Sequence, residues 1–492
     1  MTSAEKTGLV QPLLASQAVD PLQKKMVKGF RWSFAGTFIQ GALQICVTIT
    51  MARLLAPQDY GLYAMVEVIL RWANLFGQTG LLTVLVQRQT LTDEDMRGAR
   101  ALALALAGGS ALIVALGAPL IAAGFGNAEI VPLLRVASIS FLFNGLGLTS
   151  LAALRRRMEF GRLSSAEVGG YILGNGFTAI VLALNGAGVW SVVVGSLVGQ
   201  TVQNGIAIAQ ARLDFGLSWR GTTIKPLARQ GAHVSLNSCL DVLSNTMDTF
   251  VIARVMPQAL LGLFNRASML ASLPTNFLWS AVSRVTFPTY SRLQHDPVKF
   301  AGFFQRTQSW SGTLSVAVPL SMIPAADVIV AFLLGPVWVE ATPILRLLLL
   351  AFAFESLAFP YHSALDALGS YYARTKIRLV ILVVRASCLA MLVSSHKDLL
   401  FVTGAVAGLA TWVLSVTPLA RKLGIKSAIF FRHDVGTLAK AAVCAIAVAL
   451  ARMGLIAVHA PNYLLLIGCV VAGALSLALV LGKELKSLLR PA

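Results

Sequence analysis

Charged and amide side chains set inside long apolar runs are the residues of this chain that could do chemistry. The clearest group is the stretch "QGAHVSLNSCLDVLSNTMD". There Gln230, His233, Asn237, Asp241, Ser244, Asn245 and Asp248 recur at spacings of three and four. At about 100° per residue these fall within one third of a helix circumference. An amphipathic helix lying on a membrane surface would carry Lys or Arg on such a face. No basic residue occurs between Arg229 and Arg254. A helix lining a wet cavity fits better.

Arginines are the second group. A charge at the centre of a membrane helix costs about 2.5–3.5 kcal/mol on insertion scales, so each needs a reason to be there. Arg71 follows Glu67 by four residues and shares its face, so a self-neutralising pair competes evenly with ligand contact. Arg385 has no acidic residue within two turns and reads as a lone cation. Arg135, Arg266 and Arg346 stand about one or two turns from span ends, where snorkelling is cheap. Glu355 is an isolated acid. Convergent arginines would attract a polyanionic head group such as a pyrophosphate, because the guanidinium fork matches phosphate oxygens and stays charged when buried. Asp241, Asp248, Glu67 and Glu355 then become candidates for ion or proton coupling. The cysteines (Cys46, Cys239, Cys388, Cys444, Cys469) have irregular spacing within apolar runs, and the histidines show no paired ligand spacing. Neither a disulfide framework nor a metal site is expected, and no cofactor.

The elements that must hold these residues are membrane helices. The chain has 492 residues, of which 56% are hydrophobic and only 12% charged, against about 25% charged in ordinary globular proteins. Runs such as "ALALALAGGSALIVALGAPLIAAG" are long enough to cross roughly 30 Å of hydrocarbon as helices and too long for barrel strands. The reading is an all-α integral membrane protein of about 14 spans. Sorting the 40 Lys and Arg over alternate connections puts thirty on one side. Only Arg53, Arg254 and Lys397 fall opposite, which predicts that both termini are cytoplasmic. The net charge of +19 is thereby explained by orientation and contact with anionic membrane lipids, and nucleic acid is not an expected partner. The first 28 residues hold no apolar core of the kind a cleavable signal needs.

The chain also repeats itself. "MARLLAPQDYGLY" (51–63) is echoed by "IARVMPQALLGLF" (252–264) at an offset of 201 residues. "EIVPLLR" (129–135) is echoed by "EATPILR" (340–346). The echoes fall at equivalent spans, so spans 1–6 and 7–12 are two copies of like orientation, with spans 13 and 14 added. The expected division is a cytoplasmic tail (1–28), an N-lobe (29–212), a cytoplasmic linker (213–228), a C-lobe (229–420), and two further helices with a cytoplasmic C-terminus (421–492). Parallel repeats place a substrate site near the midplane between lobes that rock to open it to each side in turn.

At "ARLLAPQDYGLYAM", "NGAGVWSVVVGSLVGQ", "LGLFNRASMLASLP" and "VSRVTFPTYSRLQHD" the chain resembles the bacterial polysaccharide flippases. These are the Wzx-type, polysaccharide-transporter branch of the multidrug/oligosaccharidyl-lipid/polysaccharide exporter superfamily. The Asn237 and Asp248 positions resemble the family's Asn…Asp face, although "SNTMD" stands where the family has Arg-Asn-Leu-Asp. The resemblance implies two six-helix lobes around a V-shaped cavity in the bacterial inner membrane. It implies a substrate of oligosaccharide on undecaprenyl pyrophosphate, moved to the outer leaflet for exopolysaccharide, capsule or lipopolysaccharide O-antigen. It also implies use of central arginines, of which Arg71, Arg266 and Arg385 are the matches. A polymerase and chain-length proteins are conceivable partners, though no motif marks them. Two alternatives stand beside this: a cation-coupled multidrug exporter of the same fold, which predicts an acidic, aromatic cavity, and a membrane polymerase or ligase. The latter needs a sizeable outer loop for its acceptor glycan, and every expected outer connection is about ten residues or shorter.

Overall fold

The computed structural model describes residues 21–75, 80–88, 91–213, 216–395 and 399–488; the side chains at 21–35, 37, 233, 234, 236, 237, 281, 284, 285, 371 and 483–488 lie outside that description. The first copy runs α1 (Pro21–Leu54), α2 (Pro57–Asn74), α3 (Gly80–Gln87), α4 (Asp93–Phe125), α5 (Ile130–Arg156), α6 (Phe160–Tyr171), a π-helical stretch (Ile172–Thr178), α7 (Ala179–Leu184) and α8 (Val189–Ala211). The second copy opens with α9 (Gly221–Val255) and α10 (Gln258–Leu293). A broken rod follows, made of α11 (Pro297–Thr307), a π-helical stretch (Gln308–Gly312), α12 (Thr313–Met322) and α13 (Ala326–Leu333). Then come α14 (Ala341–Ala367), α15 (Tyr371–Ser395) and α16 (Val402–Leu423), with α17 (Ser427–Ala457) and α18 (Asn462–Leu488) appended.

Among the described residues, nine helices are long and apolar enough to cross a membrane, or ten if the pair bent by 72° between α12 and α13 is one span. The helices that miss this test are informative. α1, α2, α9 and α10 interrupt their apolar runs with polar residues, several of which, Gln44, Glu67, Asn245 and Asn276 among them, line an internal cavity. Several helices also outrun the bilayer. α9 has 35 residues and α10 has 36, about 50 Å at 1.5 Å per residue, so the sequence-based limits at the lipid boundary stop short of the helix ends.

Local chemistry sets the ends. Thr92 caps α4, its hydroxyl accepting from the Asp95 amide at 3.1 Å while the Asp95 carboxylate accepts from the Thr92 amide at 3.0 Å. Gly126 closes the same helix with φ at 72°, a left-handed conformation that glycine adopts without steric cost. Asp296 and Pro297 start α11 in the same manner, the carboxylate accepting from the Lys299 amide at 3.1 Å.

The two echoed segments turn out to be corners. Each spans the end of one helix and the start of the next, α1 to α2 and α9 to α10. The corners pack on each other reciprocally. A Cβ at Gly61 would lie 2.1 Å from the Gln258 carbonyl oxygen, and one at Gly262 would lie 1.8 Å from that of Pro57. Pro57 and Gln258 are themselves related by the repeat offset, so residue i of one copy meets residue j of the other and vice versa, as a two-fold axis requires. Arg53 and Arg254 behave alike: Arg53 donates to the Phe332 carbonyl at 3.0 Å, and a Cβ at Gly126 would be 3.2 Å from the Arg254 guanidinium. Around them a single apolar cluster joins both copies, with Trp338 fully buried and donating to the Ala52 carbonyl at 2.7 Å. This dry seal lies at the end of the bundle that is poor in Lys and Arg.

A second cluster lies within the second copy and binds α17 to it. At its centre the fully buried Asp434 carboxylate accepts from the Tyr361 hydroxyl at 2.7 Å, the Trp412 indole at 2.7 Å and the Gln308 amide at 3.0 Å. Three donors replace hydration, which is what makes a carboxylate tolerable there.

Candidate functional site

Beneath the seal, between the copies, is a cavity of about 740 Å³. α1 supplies Gln44 and Thr48; α2 supplies Tyr60, Tyr63, Glu67 and Arg71; α9 supplies Asn245, Thr246 and Asp248. α10 contributes Asn265, Arg266, Ser268, Ser272, Asn276 and Trp279, a stripe at helical spacing. Glu355 of α14 and Arg385 of α15 close one side, and Asn175 enters from the π-helical stretch, whose extra residue per turn re-aims side chains.

The three cavity arginines have different surroundings. Arg385 is locked. Its Nε donates to Asp248 at 2.9 Å, one Nη to the same carboxylate at 2.5 Å and the other to the Ser244 carbonyl at 2.7 Å. The side chains are 17% and 9% exposed. The expectation of a lone cation is therefore corrected: its counter-ion comes from α9, 137 positions away, which no reading of α15 alone could find. Arg71 pairs with Glu67 at 2.7 Å, yet its side chain is 59% exposed and can reach a ligand. Among the described residues Arg266 meets no carboxylate within hydrogen-bonding distance. It leans on the Asn265 amide oxygen at 2.8 Å, with its guanidinium 4.0 Å from the Tyr60 ring centre. Such stacking steadies an arginine by about 0.5–2 kcal/mol without cancelling its charge. Formally three arginines face Glu67, Asp248 and Glu355, so the cavity's positive field is local and centred on Arg266.

Further along α10 from Arg266 the stripe becomes neutral and ends in an aromatic residue, Trp279. Trp279 stacks on Phe359 with ring centres 5.0 Å apart and planes 6° apart. Among the described residues the Trp279 indole nitrogen and the Ser268 hydroxyl are buried and find no partner. Each such orphan costs about 1–3 kcal/mol unless a ligand fills it.

Of the other residues singled out from sequence, Asn245 lines the cavity. Asp241 lies outside it and binds Arg378 at 2.5 Å. Arg346 sits 3.9 Å from Asp327, which Arg452 also contacts, and Arg135 is exposed away from the cavity. The side chains of His233 and Asn237 lie outside the described residues. Sequence reasoning missed the α10 stripe and the aromatic residues Tyr60, Tyr63 and Trp279. Tyr60 and Tyr63 stand within the echoed segment, and Asn265 next to an expected arginine, so the signal was there; aliphatic neighbours hid its three-and-four spacing.

Comparison with known proteins places this arrangement. The chain is 24% identical over 70% of its length, and 70% of the other's, to the lipopolysaccharide biosynthesis protein WzxC of Escherichia coli. It is 25% identical to the succinoglycan biosynthesis transport protein ExoT of Rhizobium meliloti, over 67% of this chain and 66% of that one. A solved structure of the lipid II flippase MurJ in an inward closed conformation covers 93% of this chain and 99% of its own, with TM-score 0.73 at 13% identity, and so shares the fold. The family model described as polysaccharide biosynthesis protein matches residues 50–343, more than half the sequence, and the chain belongs to that family.

Proposed function

We propose that the protein moves a lipid-linked oligosaccharide from the cytoplasmic to the outer leaflet of a bacterial inner membrane by alternating access, without covalent chemistry. The reading is carried by one observation: a cavity between two pseudo-equivalent halves holds Arg266, which meets no carboxylate among the described residues, together with the aromatic side chains of Tyr60, Tyr63 and Trp279. Arg266 and the reachable Arg71 suit a pyrophosphate such as that of undecaprenyl pyrophosphate, each charge-assisted contact contributing about 1.5–3 kcal/mol. Trp279, Ser272 and Asn276 suit sugar rings and hydroxyls, while the polyprenyl tail stays in lipid. The basic ends are assigned to the cytoplasm, which makes the seal at Gly61 and Gly262 an outer gate. The functions of the relatives, polysaccharide biosynthesis and transport, support the same reading.

Export of small cations on this fold is less well supported. It needs acids free to bind the cargo, and of the three cavity acids Glu67 and Asp248 are held by arginines, leaving Glu355 alone to serve. The test is genetic and chemical together. Cells lacking the protein should lose polymer and accumulate lipid-linked oligosaccharide, and Arg266→Ala at normal abundance should not restore them. Full polymer output without the protein would refute the proposal.

A further inference from the structure

Away from the central cavity, a second pocket of about 710 Å³ opens between the basic ends of α15 and α16. Its rim carries Lys376, Arg421 and Lys422, and among the described residues no carboxylate lines it. Lys422 is partly occupied, donating to the Leu368 carbonyl at 2.8 Å and the Ser370 hydroxyl at 2.7 Å. Lys376 rests over the Tyr372 ring at 4.5 Å, and Arg421 meets no acceptor among the described residues. From this rim Ile377, Val380, Leu414 and Pro418 line the pocket inward along the helices. Beyond them Val383 and Val413 are 63% and 42% exposed on helices that are apolar enough to face lipid.

At the equivalent end of the first copy some basic residues are already engaged. Arg157 donates to the Ala211 carbonyl at 2.9 Å, and Arg162 pairs with Glu159 at 2.6 Å. Charge at the rim and hydrocarbon walls further in reproduce the polarity of a phospholipid, head group outward and acyl chain along the helices.

We propose that this pocket is a binding site for an anionic phospholipid, with Lys376 and Arg421 contacting the phosphate and the α15–α16 face holding an acyl chain. The site lies apart from the substrate cavity, and its test needs no transport. Native mass spectrometry of the full-length protein, titrated with phosphatidylglycerol, should give one tightly held lipid. Lys376→Gln with Arg421→Gln should weaken it at least tenfold. The charge-keeping pair Lys376→Arg with Arg421→Lys should bind as the parent does, which separates lost charge from lost folding. Equal binding of zwitterionic phosphatidylethanolamine, equal binding of soluble glycerol 3-phosphate, or unchanged affinity in the charge-removing pair would each overturn the assignment.

Discussion

Gly61 and Gly262 meet across the internal axis of the molecule, each pressed against the carbonyl of the residue that opens the other's helix. The contact leaves no room for a side chain on either. An alanine at Gly61 or Gly262 would put its Cβ 2.1 or 1.8 Å from a backbone oxygen, so the corners must separate. Overpacking of this kind costs about 1–3 kcal/mol. Either substitution should lower the thermal midpoint in detergent by several degrees and reduce polymer output. Gly108→Ala, at a helical glycine with nothing within 4 Å, should do neither. Equal behaviour of all three would remove the reciprocal contact from the account.

Arg385 and Asp248 should behave as a unit. Removing one partner strands a buried charge, at about 3–5 kcal/mol, whereas replacing both relieves much of that cost. Asp248→Asn should therefore be less stable than Asp248→Asn combined with Arg385→Gln, in a double-mutant cycle measured by thermal unfolding. Additive effects would mean that the pair is not formed.

Asp241 and Arg378 form a more exposed pair, 47% and 28% accessible. Exposed pairs are worth about 0–1 kcal/mol. Asp241→Asn should leave stability nearly unchanged and polymer output intact, and Arg135→Ala should match it. A collapse of polymer in either variant at normal abundance would bring that residue back into the transport path.

Trp279 should set preference among glycans more than affinity for the diphosphate. Trp279→Ala should lower transport of the native repeat unit while sparing binding of undecaprenyl pyrophosphate without sugars, read by ligand titration. If both fall together, the division of the cavity into a charged end and a sugar end is wrong.

The membrane class and the echoed corners were legible because composition and repeated words survive without any knowledge of contacts. Of the α9 stripe, Asn245 and Asp248 line the cavity whereas Asp241 lies outside it. What sequence could not reveal depends on distance along the chain. Arg385 looks alone on α15 because its partner comes from α9. The bend between α12 and α13 breaks a single apolar run, since only packing decides whether a proline bends a helix. Asp434 reads as a surface charge beside Arg432 and His433, yet Tyr361, Trp412 and Gln308 from three other segments bury it completely.

The most direct measurement uses proteoliposomes loaded with fluorescent lipid-linked oligosaccharide, with leaflet position read by a membrane-impermeant quencher. The account predicts that protein-containing vesicles equilibrate the two leaflets, that protein-free vesicles do not, and that Arg266→Ala slows exchange at least tenfold. Exchange at the parent rate in the Arg266→Ala protein, or none with the parent, would contradict it.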